Sequence, residues 1–150
     1  MGIKSFQGKR ETNQEKMGAQ ILVSDYMTTN LITFKAEDSL DHVIAQLIAH
    51  KISGGPVVND KNELIGIISE GDCLKQIIKG KYNNYPNLNG SVKEHMITEV
   101  QTLQSDNTIL EAATAFLEQR IRRFPVLENG KLVGQISQRD VMKAIEDFGR

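Results

Sequence analysis

Two short stretches of this 150-residue chain carry the side chains best suited to chemistry, and they carry them in duplicate. Gly66-Ile67-Ile68-Ser69-Glu70-Gly71-Asp72 and Gly134-Gln135-Ile136-Ser137-Gln138-Arg139-Asp140 each place an aspartate three residues after a serine, at the end of a strand-like run. Ser-x-x-Asp is a capping box, in which hydroxyl and carboxylate satisfy free amide groups at a helix start. The same amide groups attract anions. Gly71 weakens a first helical turn by about 0.5–1 kcal/mol relative to alanine, which fits a close approach to the backbone. Arg139 opposes the helix dipole by about 0.3–1 kcal/mol, a cost removed if an anion rests on those amides. Arg122 and Arg123 join it if Ile121 to Pro125 lead into the adjacent strand, with Arg120 just upstream. Guanidinium groups so gathered suit bidentate contact with phosphate. Helix capping and a solvated basic face are the competing readings of the same residues.

Other chemistries find less support. No nucleophile is paired with a base, and the chain has no room for a catalytic domain beside its repeats, so an enzyme is not expected. Cys73 takes the place that Val141 holds in the second copy and is expected to be a packed apolar group. His42, His50 and His95 have neither mutual ligand spacing nor a nearby cysteine, so no metal site is expected. Gly80-Lys81 and Gly130-Lys131 lack the remaining residues of a phosphate loop.

The elements that must position the serines and aspartates repeat with them. Met27 falls on Met96, Ile52 on Ile121 and Pro56-Val57 on Pro125-Val126 at a shift of about 69 residues, and one residue drops out before Gly66 falls on Gly134. Residues 1–20 are a polar, loosely held tail, 21–79 the first repeat, 80–91 a turn-rich linker and 92–150 the second repeat. Within each repeat Leu31–Phe34 and Val100–Leu103 predict strands. Helices follow, capped by Asp38 and Asn107, with apolar stripes at Leu40, Val43, Ile44, Leu47 and Ile48, and at Ile109, Ala112, Ala113, Phe116 and Leu117. Pro56 and Pro125 mark the start of the next strands. A turn returns the chain into Leu64–Ser69 or Leu132–Ser137, and an amphipathic helix ends each copy.

The order is therefore strand, helix, strand, strand, helix, an α/β (α+β) fold. The first two strands are parallel and the last two antiparallel, giving mixed sheets with helices on one face. One such half leaves an apolar face uncovered, so two βαββα halves are expected to pack as a pseudo-two-fold pair. A formal net charge of -1 gives no general attraction to nucleic acid or acidic membranes. No run approaches the roughly 20 apolar residues of a membrane span, and the start lacks a secretion signal, so a cytoplasmic protein is expected.

The tandem repeat, the h-x-x-x-P-V step (Ile52 to Val57, Ile121 to Val126) and the G-h-h-S-x-x-D step (Gly66 to Asp72, Gly134 to Asp140) resemble a pair of CBS domains, a Bateman module. The resemblance covers about residues 23 to 148. It departs at Gln135, where an apolar residue is expected. It implies a regulatory, non-catalytic module that needs no cofactor. Such modules bind an adenosine-containing ligand such as AMP, ADP, ATP or S-adenosylmethionine in clefts between the repeats.

The resemblance also implies residue roles. Asp72 and Asp140 would accept hydrogen bonds from a ribose diol, as pure acceptors suit a diol. Ser69 and Ser137 would face sugar or phosphate oxygens. Ile52, Ser53, Gly54, Gly55, Pro56 and Val57 would wall one adenine; Ile121, Arg122, Arg123, Phe124, Pro125 and Val126 would wall the other. Gly54-Gly55 would admit a base closely, and Phe124 would narrow the second cleft or stack there. The clefts are then unequal. The stronger uses Ser137, Asp140, Arg122, Arg123 and Arg139; at the weaker, Glu70 repels phosphate and His50 and Lys51 are the nearest upstream cations.

Apolar faces carrying Leu74, Ile77 and Ile78, and Met142, Ile145 and Phe148, predict a homodimer, with an unidentified regulated protein as a further partner. A ligand-free interaction scaffold, with Ser-x-x-Asp serving only as caps, is the rival reading. Nucleic-acid binding through Arg120, Arg122 and Arg123 ranks last, because no aromatic platform accompanies them.

Overall fold

The computed structural model describes residues 2–5, 21–81 and 90–149. Most of the linker and of the N-terminal tail lies outside these residues. The described part of the tail includes a short strand, β1 (Ile3–Ser5), where a loosely held segment was expected. It borders β4 (Val100–Gln104), whose outer edge offers unpaired backbone groups to any extended segment, whatever its side-chain period.

The apolar stripes form α2 (Leu40–His50) and α5 (Ile109–Gln119). Leu40, Val43 and Leu47, and Ile109, Ala112 and Phe116, face the cores, while the last residues of the stripes, Ile48 and Leu117, are 72% and 82% exposed. The caps lie one residue later than expected. Ser39 Oγ accepts from the His42 N–H at 3.1 Å and Thr108 Oγ1 from that of Glu111 at 3.1 Å. Asp38 and Asn107 instead close the preceding turn, accepting from the Lys35 and Gln104 N–H groups at 2.8 and 2.7 Å.

The strands β2 (Gly54–Val58) and β5 (Arg123–Glu128) begin two residues before their prolines, which correct the expected start. Proline constrains a different neighbour. Phe34 donates to the Pro56 carbonyl at 2.9 Å and accepts from the Val58 N–H at 2.9 Å, a single parallel bridge. The next bond toward the N-terminus would need an N–H on Pro56, so the expected strand at Leu31–Phe34 is reduced to Phe34 alone. In the second copy, pairing runs forward instead, through Leu103–Val126 and Gln104–Leu127. The returning strands, β3 (Leu64–Ser69) and β6 (Lys131–Ser137), are antiparallel to β2 and β5 as expected. They lead directly into α3 (Glu70–Lys81) and α6 (Gln138–Phe148). The residue missing from the second copy is a hairpin difference: Asn129 and Gly130, at φ 53° and 78°, make a two-residue turn.

Two compact units result. One is continuous, residues 32–100; the other is discontinuous, residues 1–31 with 101–150. They are offset from the sequence repeats, because two short helices, α1 (Val23–Tyr26) and α4 (Val92–His95), each join the unit formed mainly by the other repeat. After α1, Thr28 and Gln135 exchange backbone hydrogen bonds of 2.8 and 2.9 Å; after α4, Ile97 and Ile67 exchange bonds of 2.8 and 2.9 Å. Cross-strand partners share a face. The departure at Gln135 is thereby explained: its partner is Thr28, whereas Ile67 is matched by Ile97.

The continuous unit's core gathers Phe34, Leu40, Val43, Leu47, Val57, Ile68, Cys73 and Val92. The discontinuous unit's core is built on Leu103, Ile109, Phe116, Phe124, Val126 and Ile136, with Val23 of α1 inside it.

Candidate functional site

Strand-to-helix junctions put the repeated serines and aspartates where the apolar cores end. Along β3 and β6 burial alternates, so Ile68 and Ile136 point inward while Ser69 and Ser137 take the opposite face. Each serine is the last strand residue and caps the helix that follows. Ser137 Oγ accepts from the Asp140 N–H at 3.2 Å, and Asp140 Oδ2 accepts from the Ser137 N–H at 2.8 Å and from its hydroxyl at 3.0 Å. The same box stands at Ser69 and Asp72, with 2.8 and 3.0 Å to Asp72 Oδ2 and 3.4 Å to Ser69 Oγ.

Capping is therefore real at both sites, yet it leaves chemistry unused. Every hydrogen bond made by either carboxylate side chain to the described residues falls on Oδ2. Oδ1 keeps the acceptor capacity a pair of hydroxyls needs.

The surroundings of the two boxes differ. In the β5–β6 ladder Arg123 stands directly opposite Ser137; in the β2–β3 ladder Gly54 stands opposite Ser69. Arg122, Arg123 and Arg139 are all exposed, and none forms an ion pair with a described residue. Their counterparts are Ser53, Gly54 and Gly71. A β-carbon on Gly54 would meet the Ile68 carbonyl oxygen at 2.8 Å and Ser69 Cα at 3.2 Å, so the strand pair is closed against a side chain there. The Ser53 carbonyl accepts from the Glu70 N–H at 2.9 Å, which ties the start of α3 to the chain entering β2.

Two expectations along these strands need correction. The Phe124 ring is 1% exposed and packs on Phe116 with centroids 4.8 Å apart; it is a core ring and does not stack in a cleft. At Gly55 a β-carbon would lie 2.8 Å from the Phe34 ring, so this glycine makes room for a core aromatic and not for a base. The two facts are one exchange. The continuous unit takes its ring from Phe34 and leaves Gly55 bare, while the discontinuous unit has Leu103 and Phe124 at the matching places. Val57 and Val126 are core residues too, Pro56 and Pro125 are buried, and Ile52 and Ile121 are partly covered. From these strands, only backbone and the arginines face outward beside the serines. Cys73 is buried in the core as expected, its thiol pushed up by burial and then by the Asp72 carboxylate.

Sequence reasoning missed the contribution of α1 and α4 and singled out no role for Gln76, which is 9% exposed on α3. The co-variation of Thr28 with Gln135 and of Ile97 with Ile67 was the available signal for the first.

This chain belongs to the CBS domain family: the model described as CBS domain matches residues 23–79 and 92–147, and the chain is a tandem pair of such domains. It is 28% identical over 123 residues to the protein MJ1225 of Methanocaldococcus jannaschii, covering 82% of this chain and 42% of that one. It is 31% identical over 148 residues to the chloroplastic CBS domain-containing protein CBSX2 of Arabidopsis thaliana, covering 81% of this chain and 62% of that one. The crystal structure of CBSX2 in complex with AMP is similar in fold, with a TM-score of 0.72 at 28% identity, covering 87% of this chain and 99% of that one. The chain thus spans about half the length of these curated relatives. No helix of the described residues is long and apolar enough to cross a membrane.

Proposed function

We propose that this CBS pair is a regulatory, non-catalytic module that binds an adenine nucleotide, with its stronger site at Ser137, Asp140, Arg122, Arg123 and Arg139. Asp140 Oδ1 takes the ribose hydroxyls, the open amides at the start of α6 and the arginines take phosphate, and the backbone of β5 flanks the base. The observation carrying the proposal is the placement of Arg123 opposite Ser137, next to exposed Arg139, with no acidic partner among the described residues. Support comes also from CBSX2, a relative whose crystal structure holds AMP. The Ser69 and Asp72 site lacks these cations and is the weaker one for phosphate. Bound ligand stabilises the unit that holds it, and a partner sensitive to that state is the regulated activity.

Titration calorimetry with AMP, ADP and ATP tests the proposal. One site tighter than the other, weakened about tenfold or more by Asp140→Asn with only a modest change in melting temperature, is the expected result. Two equal sites would defeat the asymmetry. No heat with any nucleotide would leave the scaffold reading, which the complete capping boxes also favour.

A homodimer is part of the same proposal. Leu74, Ile78 and Met142 are 57%, 58% and 63% exposed on α3 and α6, and a second copy is the occupant that buries them. A mass of one chain in sedimentation equilibrium would remove it.

A further inference from the structure

The four-stranded sheet of the discontinuous unit is closed on both edges by the same N-terminal segment. Thr28 exchanges its two backbone hydrogen bonds with Gln135 on the outer side of β6, and β1 lies beside β4 at the opposite edge. Successive residues of a strand turn their N–H and C=O groups to opposite sides. The Ser105 N–H donates to the Leu127 carbonyl at 2.9 Å, so Leu103 and Ser105 face β5 while Thr102 and Gln104 face outward. Asn107 occupies both backbone groups of Gln104: its Oδ1 accepts from the Gln104 N–H at 2.7 Å, and its own N–H donates to the Gln104 carbonyl at 3.0 Å. The stretch of edge left for another strand therefore belongs to Val100 and Thr102, and Thr102 is 1% exposed.

The continuous unit carries the same edge without a cover. Phe34 turns both backbone groups toward β2, and Asp38 occupies those of Lys35, with its carboxylate at 2.8 Å and its N–H at 3.1 Å. Thr33, at the place of Thr102, is exposed and has no hydrogen bond to a described residue. Yet the core behind it is complete, with Phe34, Val57 and Ile68 all sealed. A strand at this edge is thus no requirement of the fold. In the discontinuous unit it is an addition of three residues, held by few ladder bonds, and it shows what the edge takes: an extended backbone.

We propose that β1 is a detachable cover on a docking edge, and that an extended segment of a partner protein adds beside β4 at Val100 and Thr102 when β1 leaves. Main-chain pairing supplies the contact, so the segment carries no proline where it faces β4. The proposal does not rest on nucleotide binding.

The experiment is amide hydrogen exchange on the full chain, wild type against Lys4→Pro/Ser5→Pro. Adjacent residues face opposite ways, so one of the two prolines removes a donor toward β4. The Thr102 amide is expected to exchange about tenfold or more faster in the variant, with the core amides of Phe124, Val126 and Ile136 unchanged. A synthetic peptide of residues 2–8 stands in for the partner segment, at the roughly millimolar concentration a tethered strand has in effect. It should restore protection to the variant and add none to wild type. Unchanged exchange at Thr102 overturns the inference, as does a freed edge that the peptide fails to protect. Loss of core protection in the variant also overturns it, since β1 would then be a fixed part of the fold. Protection restored as well by an equimolar amount of wild-type protein would make a second copy the occupant and overturn the assignment to a partner.

Discussion

Met27 lies so close over Gly134 that a β-carbon on the glycine would stand 2.5 Å from the methionine sulfur and 2.9 Å from the Thr28 carbonyl oxygen. The other copy repeats the relation, with Met96 sulfur at 2.7 Å and the Ile97 carbonyl oxygen at 2.8 Å from a β-carbon on Gly66. Each glycine belongs to the strand that ends in a capping serine, and each methionine ends the short helix supplied by the other repeat. The glycine of the G-h-h-S-x-x-D step is thus a packing requirement. It lets a foreign segment cross the strand and donate to it, three residues before the serine that caps the helix.

Gly134→Ala should therefore destabilise the protein by about 1–3 kcal/mol, as overpacking does. Adding Met27→Ala should recover part of the loss, since the sulfur can be removed but the Thr28 carbonyl cannot. Urea unfolding of the two single variants and the double variant measures the coupling. Strict additivity would mean that the methionine is not what the glycine accommodates.

Arg139→Glu separates the helix from the ligand by opposite signs. An acid in the first turn of α6 suits the helix dipole, so the ligand-free protein should hold its stability or gain about 0.3–1 kcal/mol. ATP affinity should fall, and the dependence of the remaining affinity on salt should flatten, because one charge contact is gone. Thermal melts and titrations at two salt concentrations give both readings. A ligand-free protein that loses stability would assign Arg139 a structural role that its exposure does not suggest.

The Cys73 thiol, held up by burial and by Asp72, should be a poor nucleophile in the folded protein. At neutral pH an aromatic disulfide reagent should label it about tenfold or more slowly than in the urea-unfolded chain, the rate following opening of the continuous unit. Equal rates with and without urea would show that Cys73 is accessible in the folded state.

How far the sequence disclosed all this depended on what each signal reports. Apolar spacing reports which face of an element is buried, and α2, α5, α3, α6 and both hairpins followed from it. It does not say against what, so the exchange of α1 and α4 between repeats was visible only in paired polarity: Thr28 with Gln135, Ile97 with Ile67. The helix starts were displaced by one residue because Asp38-Ser39 and Asn107-Thr108 each offer two capping side chains in a row, and the first is drawn into the preceding turn. Gly55 and Phe124 looked like a difference between two binding clefts, but they are a difference between two cores, since a ring from Phe34 fills from one strand what Phe124 fills from another. The serine, aspartate and arginine positions were legible because they sit at a junction whose geometry the strand register fixes. What capping leaves unused on the carboxylates was not legible, because the sequence cannot show which oxygen a capping bond engages.

The start of α4 gives a pH prediction with a fixed sign. Ser91 donates from its hydroxyl to Glu94 Oε1 at 2.9 Å and from its N–H at 3.3 Å. These bonds, the hydroxyl's first, hold the Glu94 carboxyl below its ordinary value of 4.5 against a smaller opposing effect of desolvation, with the neighbouring His95 adding a minor electrostatic pull in the same direction as the bonds. A depressed carboxyl stabilises the fold fully above its unfolded value and loses that contribution as pH falls through the folded one. Since α4 joins the continuous unit and carries buried Val92 into its core, loosening this start should be felt by the whole unit. Glu94→Gln should melt below wild type near neutral pH, and the gap should start to narrow as pH drops beneath about 4.5 and close once pH has fallen through the lower folded value, where wild type too is protonated. Melting curves of both proteins across that range test it. A gap that stays constant down to about pH 3 would mean that ionised Glu94 adds nothing the neutral amide cannot supply.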